Sequence, residues 1–579
     1  MSGDRGSPIL ENGHSRPIAA LLQRRDALAM PLKFALALGA AMVLVVPTAI
    51  GSNPTEVGIG AICSAESAIA AGVAAKPVIL PGVGNSVFRA DTTNPEAQAW
   101  FGYGMQAYHA FLHAENRVAL AKAAALDPTC AMCAWGEALS LGSTLNTQAT
   151  PAETATALAI AERAAKLVKP GDEKAAALIA ALKIRYQPTP PPEGREQAFG
   201  HAMDAIARRY PMDDAIATHT AHALLIPARQ DDVSGVPRAM EILEAVLARK
   251  PDETAAIHYY IHASEFAGHA PLALAYAKRL PGLAPGAGHL VHMGTHTLMR
   301  VGLYEDVALD NAEALRVDAQ TGVPAATNPT GPRYYLHNYL FGLGGAMMAG
   351  DRDLALKYAE HAPKGFPAAF GAERRETAKA RSLVALGRFA PDSALAVAEG
   401  PSDLRILKIY RHYARGEAFA AKGDAAAVGR EAQAITALGA EATKASESGN
   451  VQVAEIASGV LAGRAAMLAG QPNQAAFLYA KAAIAQEKAF PVPKNFDPPP
   501  WWYPVRRSLA AAQLKAGRYA EAERAAHASL ADWPQDALAL RILAEAEAKQ
   551  GQAGAAKDHR AEAGRHWRGD LAKVPLDLT

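Results

Sequence analysis

LKAGRYAEAE (514–523) and AKQGQAGAAK (548–557) decide the fold of this 579-residue chain. Leu509, Gly517 and Ala522 return as Leu543, Gly551 and Ala556, an offset of 34 at every position. In both segments the pattern predicts a helix that stops at the glycine, a tight turn, and a second helix that starts at once, with small residues at the crossing. Weaker copies begin at Met299 (MRVGLYEDVALDNAEAL), Met347 (MMAGDRDLALKYAEHA), Ala420 (AAKGDAAAVGREAQAI) and Met467 (MLAGQPNQAAFLYAKAA). Their irregular spacing calls for longer helices or inserted loops, and about ten to thirteen helix pairs in all.

The unit resembles a tetratricopeptide (TPR) repeat, so the expected fold is all-α, a TPR-like α-solenoid in which helix-turn-helix pairs form a right-handed superhelix. Length excludes a single ordinary core. Composition agrees with an array of helices: only 6% of residues are aromatic, and β-branched runs bounded by turns are nearly absent. Basic and acidic residues balance at 58 and 57, and no basic run is interleaved with aromatic residues, which excludes nucleic acid as a partner class. A Gly-rich phosphate loop and a Gly-x-Ser-x-Gly elbow are both missing. Two proline-rich breaks interrupt the helices, QPTPPPEG (187–194) and FPVPKNFDPPPWWYP (490–504). In the second, Trp501, Trp502 and Tyr503 either cap a groove or fill a gap before the last repeats.

The amino terminus reads as an address. Residues 1–51 combine a polar extension with a signal peptide or membrane anchor: Arg24, Arg25 and Lys33 precede an uncharged run from Phe34 to Ile50, and Met30 is an alternative start. Basic residues ahead of the apolar run keep that end inside. The body is therefore expected to be periplasmic or extracytoplasmic, with membrane association possible through residues 34–50. Residues 52–93, rich in Gly, Ala, Ser and Pro, read as a flexible tether, and 94–579 as the repeat domain.

Chemistry concentrates in HYYIHASEFAGHAPLALAYAKRLPGLAPGAGHLVHMGTH, His258 to His296, which holds six of the eighteen histidines. On helices, His258, His262 and Glu265 share one face, and His289, His292 and His296 share another. Imidazoles on adjacent helices can ligate a transition metal such as copper, zinc or iron, and two histidines with a carboxylate are a common catalytic set. Equally, they can hydrogen-bond along a polar groove. His337 and Tyr260 are further members, and His109, His113 and Glu115 are secondary candidates. His219 and His222 have similar spacing without other polar company and read as packed residues. Cys130 and Cys133 form Cys-x-x-Cys at a helix start, open to a local disulfide, a metal-binding or redox pair, or simple burial. No His follows, which excludes covalent haem attachment. HYYIH has Tyr259 where a His-Glu-x-x-His protease has its general base.

Taken together, HAE (113–115), LDPTCAMCAWGEAL (126–139), HYYIHASE (258–265), LAPGAGHLVHMGTH running into RVGLYED (283–306), HN (337–338) and WWYPVRRSLAAAQLKAGRYAEAE (501–523) resemble a bacterial family of exported TPR-repeat proteins of unassigned activity. The resemblance covers most of the chain after residue 95 and implies a solenoid outside the cytoplasm, not a reaction. Leu112 stands where the family tends to have Asn, and Gly294 where Pro is usual. The functional expectation is a scaffold that binds a protein or peptide partner in a His-lined concave groove. The alternative is a metal-binding protein or metalloenzyme built on the His258 to His296 cluster, with turnover left open.

Overall fold

The computed structural model describes residues 78–228, 232–321, 331–361, 372–397, 404–491 and 501–579. Twenty-five α-helices and no strand lie among them. The signal or anchor over 1–51, tether residues 52–77 and the proline run at 492–500 lie outside the described residues.

One turn recurs at all six sequence copies. Gly302, Gly350, Gly423, Gly470, Gly517 and Gly551 take φ between 69° and 81°, a left-handed conformation that a Cβ disfavours. After Gly517 the Arg518 amide donates to the Gln513 carbonyl, and after Gly551 the Gln552 amide donates to the Glu547 carbonyl, each at 2.9 Å. This return bond ends the first helix and sends the chain back along it. Ala522 and Ala556 are buried on the returning helices. The hairpins are Val505–Lys515 with Tyr519–Asp532, and Ala537–Lys549 with Ala553–Arg565. Each helix packs on its sequence neighbours, so the chain is a helical-repeat scaffold.

Irregular spacing has a simple source. Arg405–Ala421, Ala425–Lys444 and Ser448–Leu468 run to 17, 20 and 21 residues, against 13 for Ala537–Lys549. Ser448–Leu468 is long and apolar enough to cross a membrane by length and composition. Here it is a core helix, whose Arg464 pairs with Glu417 at 2.7 Å in full burial. Trp501 and Tyr503 are also fully buried, and the Gln486 side chain bonds both the Tyr503 carbonyl and the Val505 amide. They fill the interior between repeats and cap no groove.

Residues 78–93 differ from the tether expected of them. The Gly286 amide donates to the Gly82 carbonyl at 2.8 Å, Asn85 and Thr254 exchange hydrogen bonds, and Val83, Ser86 and Phe88 are buried. Composition missed this because the segment is held by pairing to other helices rather than by a periodic apolar face of its own.

Two large hydrophobic cores run through the described residues, one from Val83 to Met293 and one from Leu298 to Ala546, beside two small clusters. Gly288–Arg300 belongs to both. The helices that carry the site are α1 (Pro95–His109), α2 (His113–Leu126), α3 (Asp214–Leu225), α4 (Thr254–Phe266), α5 (Gly288–Arg300), α6 (Tyr304–Thr321) and α7 (Gly331–Met348).

Candidate metal centre

Three of the site helices are started by local chemistry. Asn94 caps α1 by accepting from the Glu96 and Ala97 amides, Asp213 caps α3 through the Ile216 amide, and Glu253 caps α4 through the Ala256 amide. Helical spacing then places His219 with His222, His258 with His262 and Glu265, and His289 with His292 and His296 on shared faces.

Packing gathers nine of these rings into three sets. The first is His109, His219 and His222; the second is His258, His262 and His289; the third is His292, His296 and His337. Within each set, one ring nitrogen per residue lies within 4.8 Å of the others. All are buried except His337, which is half-buried.

In the third set the geometry points inward. Nε2 of His296 lies 3.1 Å from Nε2 of His292 and 3.3 Å from Nε2 of His337. The opposite edges of two of these rings are already committed. His296 Nδ1 donates to the Glu265 carboxylate at 2.9 Å, and His292 Nδ1 donates to Asn311 Oδ1 at 2.7 Å. Asn311 is oriented by its own amide, which donates to the Val307 carbonyl. A neutral ring whose Nδ1 carries the proton presents its lone pair at Nε2. With those Nδ1 edges engaged, the Nε2 atoms of the three rings converge, an arrangement that can hold a cation between them. A carboxylate behind a ligating imidazole is the usual outer support of a metal site.

Glu265 therefore stands one step back from the role its helical face suggested. It holds His296 and is itself held by Arg300, 3.2 Å from its other oxygen. Burial would raise its carboxyl, but His296 and Arg300 outweigh burial and keep it below the usual carboxylate range.

The second set is built in the same way. His258 Nδ1 donates to the His109 carbonyl at 2.6 Å, which leaves Nε2 facing Nε2 of His289 at 3.3 Å. His262 supplies the third ring, 5.0 Å from His258 between ring centres. Burial first, and repulsion between neighbouring rings after it, holds His262, His289 and His292 well below the ordinary imidazole value. Burial takes His258 down to about 3 against the opposing His109 carbonyl. These rings are neutral bases, the form that binds metal.

Phe111 closes the second set. Its φ is 55°, rare for a bulky residue, in the turn from α1 to α2, and its ring lies 4.6 Å from His258 and 5.2 Å from His289. His113 stacks on that ring as well, 5.6 Å away. Neither His113, Glu115 nor Glu265 joins a three-ligand set among the described residues.

The first set contains the residues that sequence reasoning passed over. His219 and His222 lacked company only in the sequence; His109, from α1, supplies it. The i, i+3 pair on α3 was the available signal. Burial, then the Arg185 charge, takes His219 down to about 3, and His109 and His222 are held well below the ordinary value by burial and neighbouring rings. Tyr260, offered as a nearby group, turns away and donates to Glu244 at 3.0 Å.

The rings of the second and third sets, His337 apart, are buried between packed helices, because α4 and α5 present their histidines to each other. Cys130 and Cys133 form a local disulfide with 5.3 Å between Cα atoms, and neither belongs to any of the three sets.

No protein-family model and no curated protein matches the sequence. Solved structures align with it at low identity. The human IFIT1 dimer with m7Gppp-AAAA is 14% identical over 76% of this chain and 89% of that chain, with a TM-score of 0.30. The P58(IPK) TPR domain is 14% identical over 62% and 94%, with a TM-score of 0.20. The APC/C hetero-tetramer Cut9-Hcn1 is 13% identical over 83% and 88%, with a TM-score of 0.25. Scores this low say nothing about the histidines.

Proposed function

We propose that this helical-repeat protein is a metalloprotein that holds transition-metal ions, copper foremost, at the second and third histidine sets. One observation carries the reading: Nε2 of His296 meets Nε2 of His292 and of His337 at 3.1 and 3.3 Å, while Glu265 and Asn311 occupy the Nδ1 edges of His296 and His292. An all-imidazole donor set suits copper, zinc or iron and not the hard cations. Among these, copper binds such donors most tightly.

Three protein donors leave a coordination position open, as in catalytic rather than structural sites. Rings of the two sets approach to 5.8 Å (His262 with His296) and 6.0 Å (His289 with His292). Ions held there would be near neighbours, able to share one small ligand such as dioxygen. Half-buried His337 gives that ligand its approach. Oxidase or oxygen-binding chemistry fits better than hydrolysis, since Glu265, the carboxylate bonded to a ring of the third set, is committed to His296 and Arg300.

Export through residues 1–51 belongs to the same reading. The Cys130–Cys133 disulfide suits an oxidising compartment. A protein partner, on this reading, docks on faces that the hairpins leave open and does not touch the buried rings.

The test is metal content. Full-length protein without an affinity tag, stripped and reconstituted separately with copper, zinc and iron, should retain copper best, and His258→Ala and His292→Ala should each lose about one equivalent. Retention below about a tenth of an equivalent of every metal would reject the reading.

A further inference from the structure

We propose a third transition-metal centre at His109, His219 and His222, distinct in its ligands from the pair above. Its ring centres form a nearly equilateral triangle with sides of 5.8, 6.2 and 6.3 Å. The point equidistant from them lies about 3.5 Å from each. An ion bound through a ring nitrogen at about 2.1 Å sits roughly 3.2 Å from the ring centre. The triangle is therefore within a few tenths of an ångström of the size an ion requires.

A second observation is independent of that triangle. Both ring nitrogens of His219, both of His222 and Nε2 of His109 are buried without a hydrogen-bond partner. Buried polar atoms are as a rule paired, and five orphans on three rings that bring one nitrogen each to within 4.8 Å of one another require an explanation. Tyr259 Oη meets His109 Nδ1 at 2.8 Å, which leaves Nε2 as the nitrogen available to an ion. Trp135 and Phe199 pack edge-on against His219, at 5.5 and 6.2 Å, and Tyr259 stacks on His222 at 4.5 Å with planes 7° apart. Neither apolar wall nor tyrosine ring offers those nitrogens a proton. The ligand class is a borderline ion content with three nitrogen donors, such as Cu(I) or Zn(II).

The site also has an entrance. A cavity of about 850 Å³ is lined by His219 together with Phe88, Phe101, Trp135, Lys174 and Asp213. It reaches His219 of the first set and no ring of the other two.

The experiment uses the full chain, stripped of metal and titrated anaerobically with Cu(I). Native mass spectrometry should count one ion fewer in His219→Gln/His222→Gln than in the wild type, while His292→Gln/His296→Gln keeps the ion at the first set. Tyr259→Phe should weaken one copper site about tenfold or more by releasing His109. Equal counts in the wild type and a folded first-set variant would overturn the proposal. Should that variant not fold, anomalous scattering at the copper edge from wild-type crystals decides: a peak within bonding distance of His222 supports the centre, and its absence at full loading overturns it. Because the ligands differ, loss of copper from the second and third sets alone would count against the paired centres and not against this one.

Discussion

Glu265 on α4 accepts a hydrogen bond from Nδ1 of His296 on α5 at 2.9 Å, with both side chains nearly fully buried. A carboxylate there makes the ring a better base and fixes its tautomer, so its effect is felt at the metal without contact. Glu265→Gln keeps an acceptor in place and removes the charge. Copper affinity at the third set should fall about 10- to 100-fold, read by competition with a chromophoric chelator, and affinity at the second set should stay within twofold or so. Unchanged affinity at the third set would mean that Glu265 serves Arg300 only.

Gly294 lets α5 approach its neighbour. A Cβ at this position would lie 2.5 Å from the Ala277 carbonyl oxygen, closer than side chains tolerate, and the obstacle is backbone. Gly294→Ala improves helix propensity by roughly 1 kcal/mol but forces a shift that costs about 1–3 kcal/mol. The second effect wins because α5 is clamped between two cores. A lower thermal midpoint is expected, together with weaker copper binding at both sets, since His289, His292 and His296 all move with α5. A higher midpoint with intact binding would show that the 274–277 segment yields.

Much of this was legible in the sequence, and the reasons are specific. Gly517 and Gly551 announce their turns because few other residues accept a positive φ there. The faces that unite His258 with His262, and His289 with His296, follow from helical periodicity alone. Long-range pairing is what periodicity cannot give. Nothing in the sequence says that Glu265 reaches His296 rather than an ion, or that His109 completes a set with His219 and His222. Residues 78–93 looked like a tether because Asn85 and Phe88 find their partners, Thr254 and His109, only once the helices have assembled. Phe111 gave no signal, since a phenylalanine at a left-handed turn position contradicts local preference.

Asp310 on α6 carries a pH-dependent cost. Burial, then Asp306 and Glu313, raise its carboxyl to about 7 from an ordinary 3.8. Between those values the folded chain keeps a proton that the unfolded chain has lost, so stability falls as pH rises through that window and the loss is complete above it. Asp310→Asn removes the ionisation. It should leave the thermal midpoint nearly unchanged at pH 4 and raise it at pH 8, by a gain of about 2 kcal/mol once partial exposure to solvent is allowed for. An equal gain at both pH values would place the effect in packing instead.

Phe111 sets backbone strain against burial, and magnitudes decide between them. A left-handed φ costs a non-glycine residue about 1–2 kcal/mol, so Phe111→Gly relieves that much. Losing a buried phenylalanine ring costs about 3–5 kcal/mol. The variant should therefore be less stable by roughly 2–3 kcal/mol in denaturant unfolding. The same ring shields His258 and His289 from water, so copper at the second set should exchange with a chelator faster in Phe111→Gly, while exchange at the third set, which has no contact with Phe111 of this kind, keeps its wild-type rate. Phe111→Leu retains part of the apolar cover and should fall between the two. If the glycine variant proves more stable than the wild type, the strain is not held in place by the ring's packing against the histidines, and its cause must lie in the turn itself.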